Sequence, residues 1–206
     1  MRTLSAFLFC AAVTLCACAQ ESPPVPSDAL RHPGWGYGVQ VFGGTATMSI
    51  PPIPQEPSRY ASSFGAEVHL ARVLTHQHGD GWKRGTLECD FNIIPVNLYF
   101  INGRQYYLGG FEAVAPRWNF TGHRGRLLPF AGVAGGMLFS PQKFPPGDTA
   151  NANFTVGVDL GAHVFTRHRQ SFDVTSRLHH LSNAGFGHYN PGLPLSLQIV
   201  LGYTWY

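Results

Sequence analysis

Residues 154–164, FTVGVDLGAHV, alternate between apolar side chains and polar or small ones. Successive side chains of a β-strand point to opposite faces, so this alternation predicts a strand with one apolar and one polar face. The polar face includes Asp159 and His163. The apolar face would carry Phe154, Val156, Val158, Leu160, Ala162 and Val164.

The same period of two recurs along most of the chain and predicts eight strands. Each is longer than the five or six residues usual in soluble sheets, and a tilted strand needs about 9–11 residues to cross a bilayer. In the third strand Ile93-Ile94-Pro95 interrupts the alternation and predicts a bulge. The predicted ranges are 37–48, 61–74, 87–101, 105–116, 126–139, 153–165, 170–182 and 193–206.

Three features together favour a membrane barrel over a soluble sandwich: the strand length, an export leader, and a chain that ends on Tyr203-Thr204-Trp205-Tyr206. Backbone groups in hydrocarbon must all be hydrogen-bonded, which requires such strands to close on themselves. We therefore predict an all-β fold, an eight-stranded antiparallel transmembrane β-barrel over residues 36–206, in the outer membrane of a Gram-negative cell. Eight strands leave an interior that side chains fill. The predicted filling is Glu67, His69, Asp159, His163, Asp173, Arg177 and His179.

A positive charge at Arg2 precedes a mostly apolar run over 4–15 that is too short for a spanning helix. This pattern indicates a secretory signal peptide over 1–19. Cleavage after Ala19 fits small residues at the −3 and −1 positions. The alternative is a lipobox over 15–18 with Cys18 lipidated. Residues 20–35, rich in Pro and Ser, are predicted to be irregular. Cleavage after Ala19 leaves Cys89 alone, which excludes a fold stapled by disulfides.

Charge and composition restrict the partners. The formal net charge is only +3 and no run of Lys or Arg occurs, so nucleic acid is not an expected partner. The cluster of histidines at 76–80 is interpreted as a solvated turn, and neither a metal ion nor an organic cofactor is expected. The sequence leaves the oligomeric state open.

Residues 177–185, RLHHLSNAG, contain the candidate chemistry. His180 and Ser182 lie two residues apart, on the strand face that also carries Phe172, Val174 and Leu178. A histidine beside a serine can take the hydroxyl proton as the serine attacks an ester. An even number of strands puts both chain ends in the periplasm, so the seventh strand would end at the extracellular rim. The pair would then face the lipopolysaccharide of the outer leaflet, and a lipid ester is the expected substrate.

The stretch 180–185, HLSNAG, followed by Asn190-Pro191-Gly192 and a final amphipathic strand, resembles the lipid A 3-O-deacylase (PagL) family, also called acyloxyacyl hydrolases. The resemblance implies an eight-stranded outer-membrane barrel that removes the 3-linked acyl chain of lipid A through a Ser-His-Glu triad. It implies Ser182 as the nucleophile and His180 as the general base. Asn183 and Gly185 are implied near the oxyanion site, and Asn190 is a further candidate.

The acid of the family's triad is replaced in this chain. It lies twelve positions after the serine, where this sequence has Pro194. Asn190 or Gln198 could orient the imidazole instead, as an Asn does in papain-like sites, whereas Asp173 falls on the opposite strand face. The site is thus a weaker dyad, a triad with another partner, or inactive. The main rival function is a structural or lipid-binding barrel that has lost the acid; a pore is weaker, because eight strands enclose little lumen.

Overall fold

The structure, a computed structural model, describes residues 28–48, 61–122, 125–146, 150–167, 169–186, 193 and 195–206. Each strand pairs antiparallel with the next, and β8 pairs with β1, so the sheet is a closed barrel. This confirms the predicted eight-stranded antiparallel fold. The strands are β1 Gly34–Met48, β2 Ala61–Val73, β3 Gly85–Ile101, β4 Arg104–Phe120, β5 Leu127–Phe139, β6 Ala152–Arg167, β7 Gln170–Ser182 and β8 Leu195–Trp205.

The predicted strands agree with these bounds to within a few residues, and the bulge is confirmed. The ladder between β3 and β4 shifts register between Ile94 and Asn97, around the predicted interruption. Two short 3-10 turns, Asp28–Leu30 and Gly81–Lys83, lie outside the strands. No helix in the described part of the chain is long and apolar enough to cross a membrane. The predicted signal peptide lies outside the described residues.

The two faces of the barrel wall differ as the alternation predicts. Val156, Leu160 and Ile199 are half or more exposed on the outside, where lipid would contact them. On the inside, Arg177 pairs with Asp159 at 2.8 Å and with Glu67 at 3.5 Å. Buried charges are retained only when they are paired in this way. The whole predicted filling is buried or nearly so: Glu67, His69, Asp159, His163, Asp173, Arg177 and His179.

Both ends of the lumen are closed by apolar side chains. The "terminal end", where β1 begins and β8 ends, is filled by Leu30, Val73, Leu128 and Phe165. At the opposite "loop end", where β7 finishes, a larger apolar cluster closes the barrel, and we call it the loop-end plug. The plug consists of Phe42, Ala61, Ile94, Tyr99, Ile101, Tyr106, Leu108, Leu138, Phe144, Leu181, Leu193 and Val200.

Loop lengths differ between the ends. At the loop end, β1–β2, β5–β6 and β7–β8 are joined by long connections, whereas Asn102 and Gly103 alone join β3 to β4. Both of these residues have positive φ, 51° and 74°, as the two central positions of a type I′ hairpin turn require. The Asn-Gly pair explains why this one connection is short.

Candidate active site

His180 and Ser182 emerge together at the end of β7. The inward positions of this strand, from Ser171 through Arg177 to Leu181, are buried. The outward positions include Phe172 and Leu178, both about 40 % exposed, and then His180 and Ser182, both half-buried. Residues two apart on a strand are separated by about 7 Å, which an imidazole side chain can span. The alternation of buried and exposed positions places the two residues on the outer, lipid-facing wall at the loop end.

The neighbouring strand surrounds this pair with apolar groups. Val156 lies directly opposite His180 and Phe154 directly opposite Ser182 in the β6–β7 ladder. The Phe154 ring also contacts the Phe186 ring, with their centroids 5.6 Å apart, and Phe186 is 83 % exposed. An acyl chain brought to Ser182 would therefore meet aromatic and aliphatic side chains.

A tight turn follows Ser182 and fixes the direction in which the chain leaves the strand. The Phe186 amide donates to the Asn183 carbonyl at 3.0 Å, and Ala184 and Gly185 both have positive φ, 52° and 82°. The buried Asn183 side chain stabilises this turn, because its Oδ1 accepts a hydrogen bond from the Gly185 amide at 2.9 Å. A left-handed alanine costs about 1–2 kcal/mol, so the surrounding contacts must hold the turn in place.

These hydrogen bonds bear on the predicted oxyanion donors. The Gly185 amide is engaged by Asn183, so it would have to be shared or released before it could bind an oxyanion. Asn183 is fully buried beneath the turn rather than exposed on the outer wall. Asn190, the third predicted residue, lies outside the described residues.

The loop-end plug supports the site from inside. Leu181, between His180 and Ser182, points inward and is fully buried in the plug. Its carbonyl accepts a hydrogen bond from the Leu193 amide at 2.8 Å, and Leu193 is itself part of the plug. The same strand end that exposes His180 and Ser182 is thus anchored by apolar packing.

The prediction that Gln198 could orient the His180 imidazole is wrong. Gln198 faces the lumen, is 1 % exposed and donates to Ser63 Oγ at 3.2 Å, so it cannot reach an imidazole on the outer wall. Its position across the ladder from the inward Arg177 explains this orientation. Asp173 is also inward and bonds His163 at 2.7 Å, which agrees with its exclusion as a partner of His180. Pro194 lies outside the described residues.

The sequence did not single out Phe154, Val156 or Phe186 as site residues. Phe154 and Val156 belong to the strongest alternation in the chain, but their position opposite Ser182 and His180 depends on the β6–β7 register. A two-residue connection pairs Arg167 with Gln170, but the ladder then shifts by one residue between Phe165 and Arg167. Counting back from that hairpin would have placed Phe154 opposite Asn183 instead of Ser182, so the register could not be obtained from the connection length alone.

Among the described residues, no three His, Cys, Asp or Glu side chains are grouped as a metal ion would require. At the terminal end, His76 contacts His32, and the two Nδ1 atoms are 3.4 Å apart. Ser182 lies at the opposite end of the barrel, so this pair takes no part in the candidate site.

Comparison with known proteins identifies a family and supports the barrel fold. The family profile described as "Lipid A 3-O-deacylase (PagL)" matches residues 42–204. No curated protein matches the chain. The crystal structure of the outer membrane enzyme PagL is similar with a TM-score of 0.55 and 16 % identity, over 80 % of this chain and 97 % of that one. The crystal structure of Neisserial surface protein A (NspA) is similar with a TM-score of 0.52 and 11 % identity, over 83 % of this chain and 96 % of that one.

At these identities the two solved structures support the barrel fold alone, whereas the profile match extends over most of the chain and includes both His180 and Ser182. On that match, the chain belongs to the lipid A 3-O-deacylase (PagL) family.

Proposed function

We propose that this protein is an outer-membrane esterase that removes the 3-linked acyl chain of lipid A, with Ser182 as nucleophile and His180 as general base. The observation that carries the proposal is the placement of these two polar residues side by side on the lipid-facing wall, at the end of β7. Family membership supplies the substrate class.

The acylation step uses both residues. His180 takes the proton of Ser182 as the hydroxyl oxygen attacks the ester carbonyl of the 3-linked chain. The tetrahedral intermediate then breaks the bond to the sugar oxygen, which receives the proton from His180. Ser182 is left as an acyl ester, and the sugar keeps a free 3-hydroxyl.

Water completes the cycle. His180 removes a proton from a water molecule that attacks the acyl ester, and the fatty acid leaves as Ser182 regains its proton. The oxyanion in both steps would be met by donors of the turn at 183–185, with Asn190 as a further donor. Using the Gly185 amide in this way requires it to exchange its bond to Asn183 for one to the oxyanion.

The substrate would enter sideways from the outer leaflet. Lipid A has its acyl chains in the hydrocarbon and its sugar at the membrane surface, so the susceptible ester lies near the height of the strand ends. Phe154, Val156 and Phe186 would contact the acyl chain beside Ser182. Lipid A within lipopolysaccharide is then both the substrate and the membrane partner, and no nucleic acid, metal or organic cofactor is required.

The proposal is tested by the mass spectrum of lipid A from cells that express the protein. Wild type should remove one hydroxyacyl chain, and Ser182→Ala should leave lipid A unchanged while the barrel still assembles. Ser176→Ala is the matched control, since Ser176 lies on the same outward face and should not affect the reaction. Deacylation that persists in Ser182→Ala would contradict the assigned nucleophile.

The replacement of the family acid by Pro194 favours a second candidate, a barrel that binds lipid without cleaving it. A triad acid fixes the histidine tautomer, and its loss in a serine protease lowers kcat by about 10⁴-fold. We expect Pro194→Glu to raise the deacylation rate and Pro194→Gln, which removes the proline without adding a charge, to raise it less. A spectrum unchanged by wild type and by Pro194→Glu, with the barrel assembled, would favour the binding protein.

A further inference from the structure

The terminal end of the barrel has a groove on its outer wall, far from His180. It is lined by Gly81, Trp82, Phe120, Gly122 and Pro129, and its volume is about 620 Å³. Small-molecule sites in proteins are typically about 300–1,000 Å³ and mostly apolar, so this groove is large enough for a lipid segment. It is built where the connection between β2 and β3 folds over the wall formed by β4 and β5.

The groove is held together by specific contacts. The Trp82 ring stacks on Phe120 with centroids 6.3 Å apart, and the Trp118 indole donates to the Lys83 carbonyl at 3.3 Å. The Thr121 amide donates to the Arg84 carbonyl at 2.8 Å. A side chain at Gly122 would lie 2.4 Å from the Gly81 carbonyl, so the two connections touch. The connection that carries Trp82 is therefore fixed to the barrel wall.

The chemistry of the groove is that of an amphiphile site. Trp82 is 74 % exposed, and tryptophan is enriched at membrane interfaces, where its ring lies at the level of the lipid headgroups. Lys83 and Arg84 are exposed directly beside it, and the Lys83 ammonium lies 5.5 Å from the centre of the Trp82 ring. Asp80, which precedes the turn, is exposed and offsets one of these charges. An apolar floor with a net positive rim is complementary to a lipid whose headgroup is anionic.

We propose that this groove is a binding site for an anionic phospholipid of the leaflet at the terminal end. The acyl chain lies against Phe120, Pro129 and the Trp82 ring, and the phosphate is met by Lys83 and Arg84. The proposal goes beyond the deacylase reaction, and it uses the proposed orientation only to name the leaflet as the periplasmic one.

The test uses the full-length barrel with Ser182→Ala, so that no lipid can be hydrolysed, in native mass spectrometry after release from detergent. The probes are dioleoyl phosphatidylglycerol, dioleoyl phosphatidylcholine and oleate. We expect one phosphatidylglycerol to be retained about tenfold more than phosphatidylcholine, because Lys and Arg near the surface attract anionic headgroups. Equal retention of the two phospholipids, or retention of oleate as strong as that of phosphatidylglycerol, would overturn the proposal.

Variants separate the two parts of the site. Lys83→Gln with Arg84→Gln should remove the preference for phosphatidylglycerol, and Trp82→Ala should reduce retention of both phospholipids. Trp35→Ala and Arg167→Gln are the matched controls, because both residues are exposed at the same end but do not line the groove. Controls that lose binding as much as the groove variants would contradict a defined site. The groove variants with Ser182 restored should deacylate lipid A normally. Lipid retention therefore tests the groove, and deacylation tests the proposed function, independently of each other.

Discussion

Neighbouring residues on the inward and outward faces of β7 have different surroundings, even where the residue type is the same. His179 points into the lumen, is 5 % exposed and contacts Thr155, whereas His180 points outward beside Ser182. Arg177 is buried among carboxylates, whereas its neighbour Ser176 is exposed on the outer wall. Residue type alone therefore does not distinguish the proposed general base from a lumenal histidine; the face of the strand does.

The largest expected difference between the faces is in the reaction rate. His180→Ala should lower deacylation by about 10²- to 10⁴-fold, which is the usual contribution of a general base, without changing stability. His179→Ala should leave the rate per folded molecule near wild type and lower stability by about 1–3 kcal/mol, because Thr155 loses its buried partner. The rate of lipid A deacylation measures the effect on catalysis, and urea unfolding of the refolded barrel measures the effect on stability. The reverse pattern would mean that His179 is the base.

The next difference is in stability. Arg177→Met should destabilise the barrel by about 3–5 kcal/mol, because it leaves the carboxylates of Glu67, Glu112 and Asp159 buried without their cation. Ser176→Met adds the same side chain to the lipid-facing wall and should have little effect. Both variants are measured by the urea concentration at which half of the protein loses the heat-modifiable gel migration of the folded barrel. Equal midpoints would show that the buried ion pairs do not contribute to stability.

The smallest difference concerns apolar residues. Leu181→Ala opens a cavity in the loop-end plug and should cost about 2–4 kcal/mol, with a lower kcat because the plug fixes the end of β7. Leu178→Ala, on the lipid-facing side, should cost less, since lipid can occupy the space. A Leu181→Ala barrel with wild-type kcat would show that packing in the loop-end plug does not affect the reaction.

The comparison of faces also shows which part of the structure the sequence predicts. Alternation of the kind seen from Phe154 to Val164 predicts the strands and the direction of each side chain, because the period of two is a local property. The barrel required strand length, the aromatic end of the chain and the leader in addition. The outward placement of Ser182 follows from the same rule. The same rule places Gln198 in the lumen with Ser196 and Thr204, which lie on the same face of β8, and this excludes it as a partner of His180.

What the sequence did not predict depends on contacts between distant segments. The loop-end plug brings Phe144 from the β5–β6 connection against Tyr99 and Tyr106, with ring centroids 5.0 and 5.3 Å apart. Nothing in the period of β3 or β4 indicates that such a ring enters the lumen. The groove under Trp82 likewise requires the β2–β3 connection to fold onto β4, which alternation within single strands does not encode.

We propose above that His180 activates Ser182 on the outer wall, at the extracellular end of the barrel. The direct measurement is labelling of intact cells with a membrane-impermeant fluorophosphonate, followed by peptide mass spectrometry. We expect modification of Ser182 in wild type, none in His180→Ala, and modification retained in His179→Ala. Labelling of Ser182 that required permeabilised cells, or that survived His180→Ala, would contradict it.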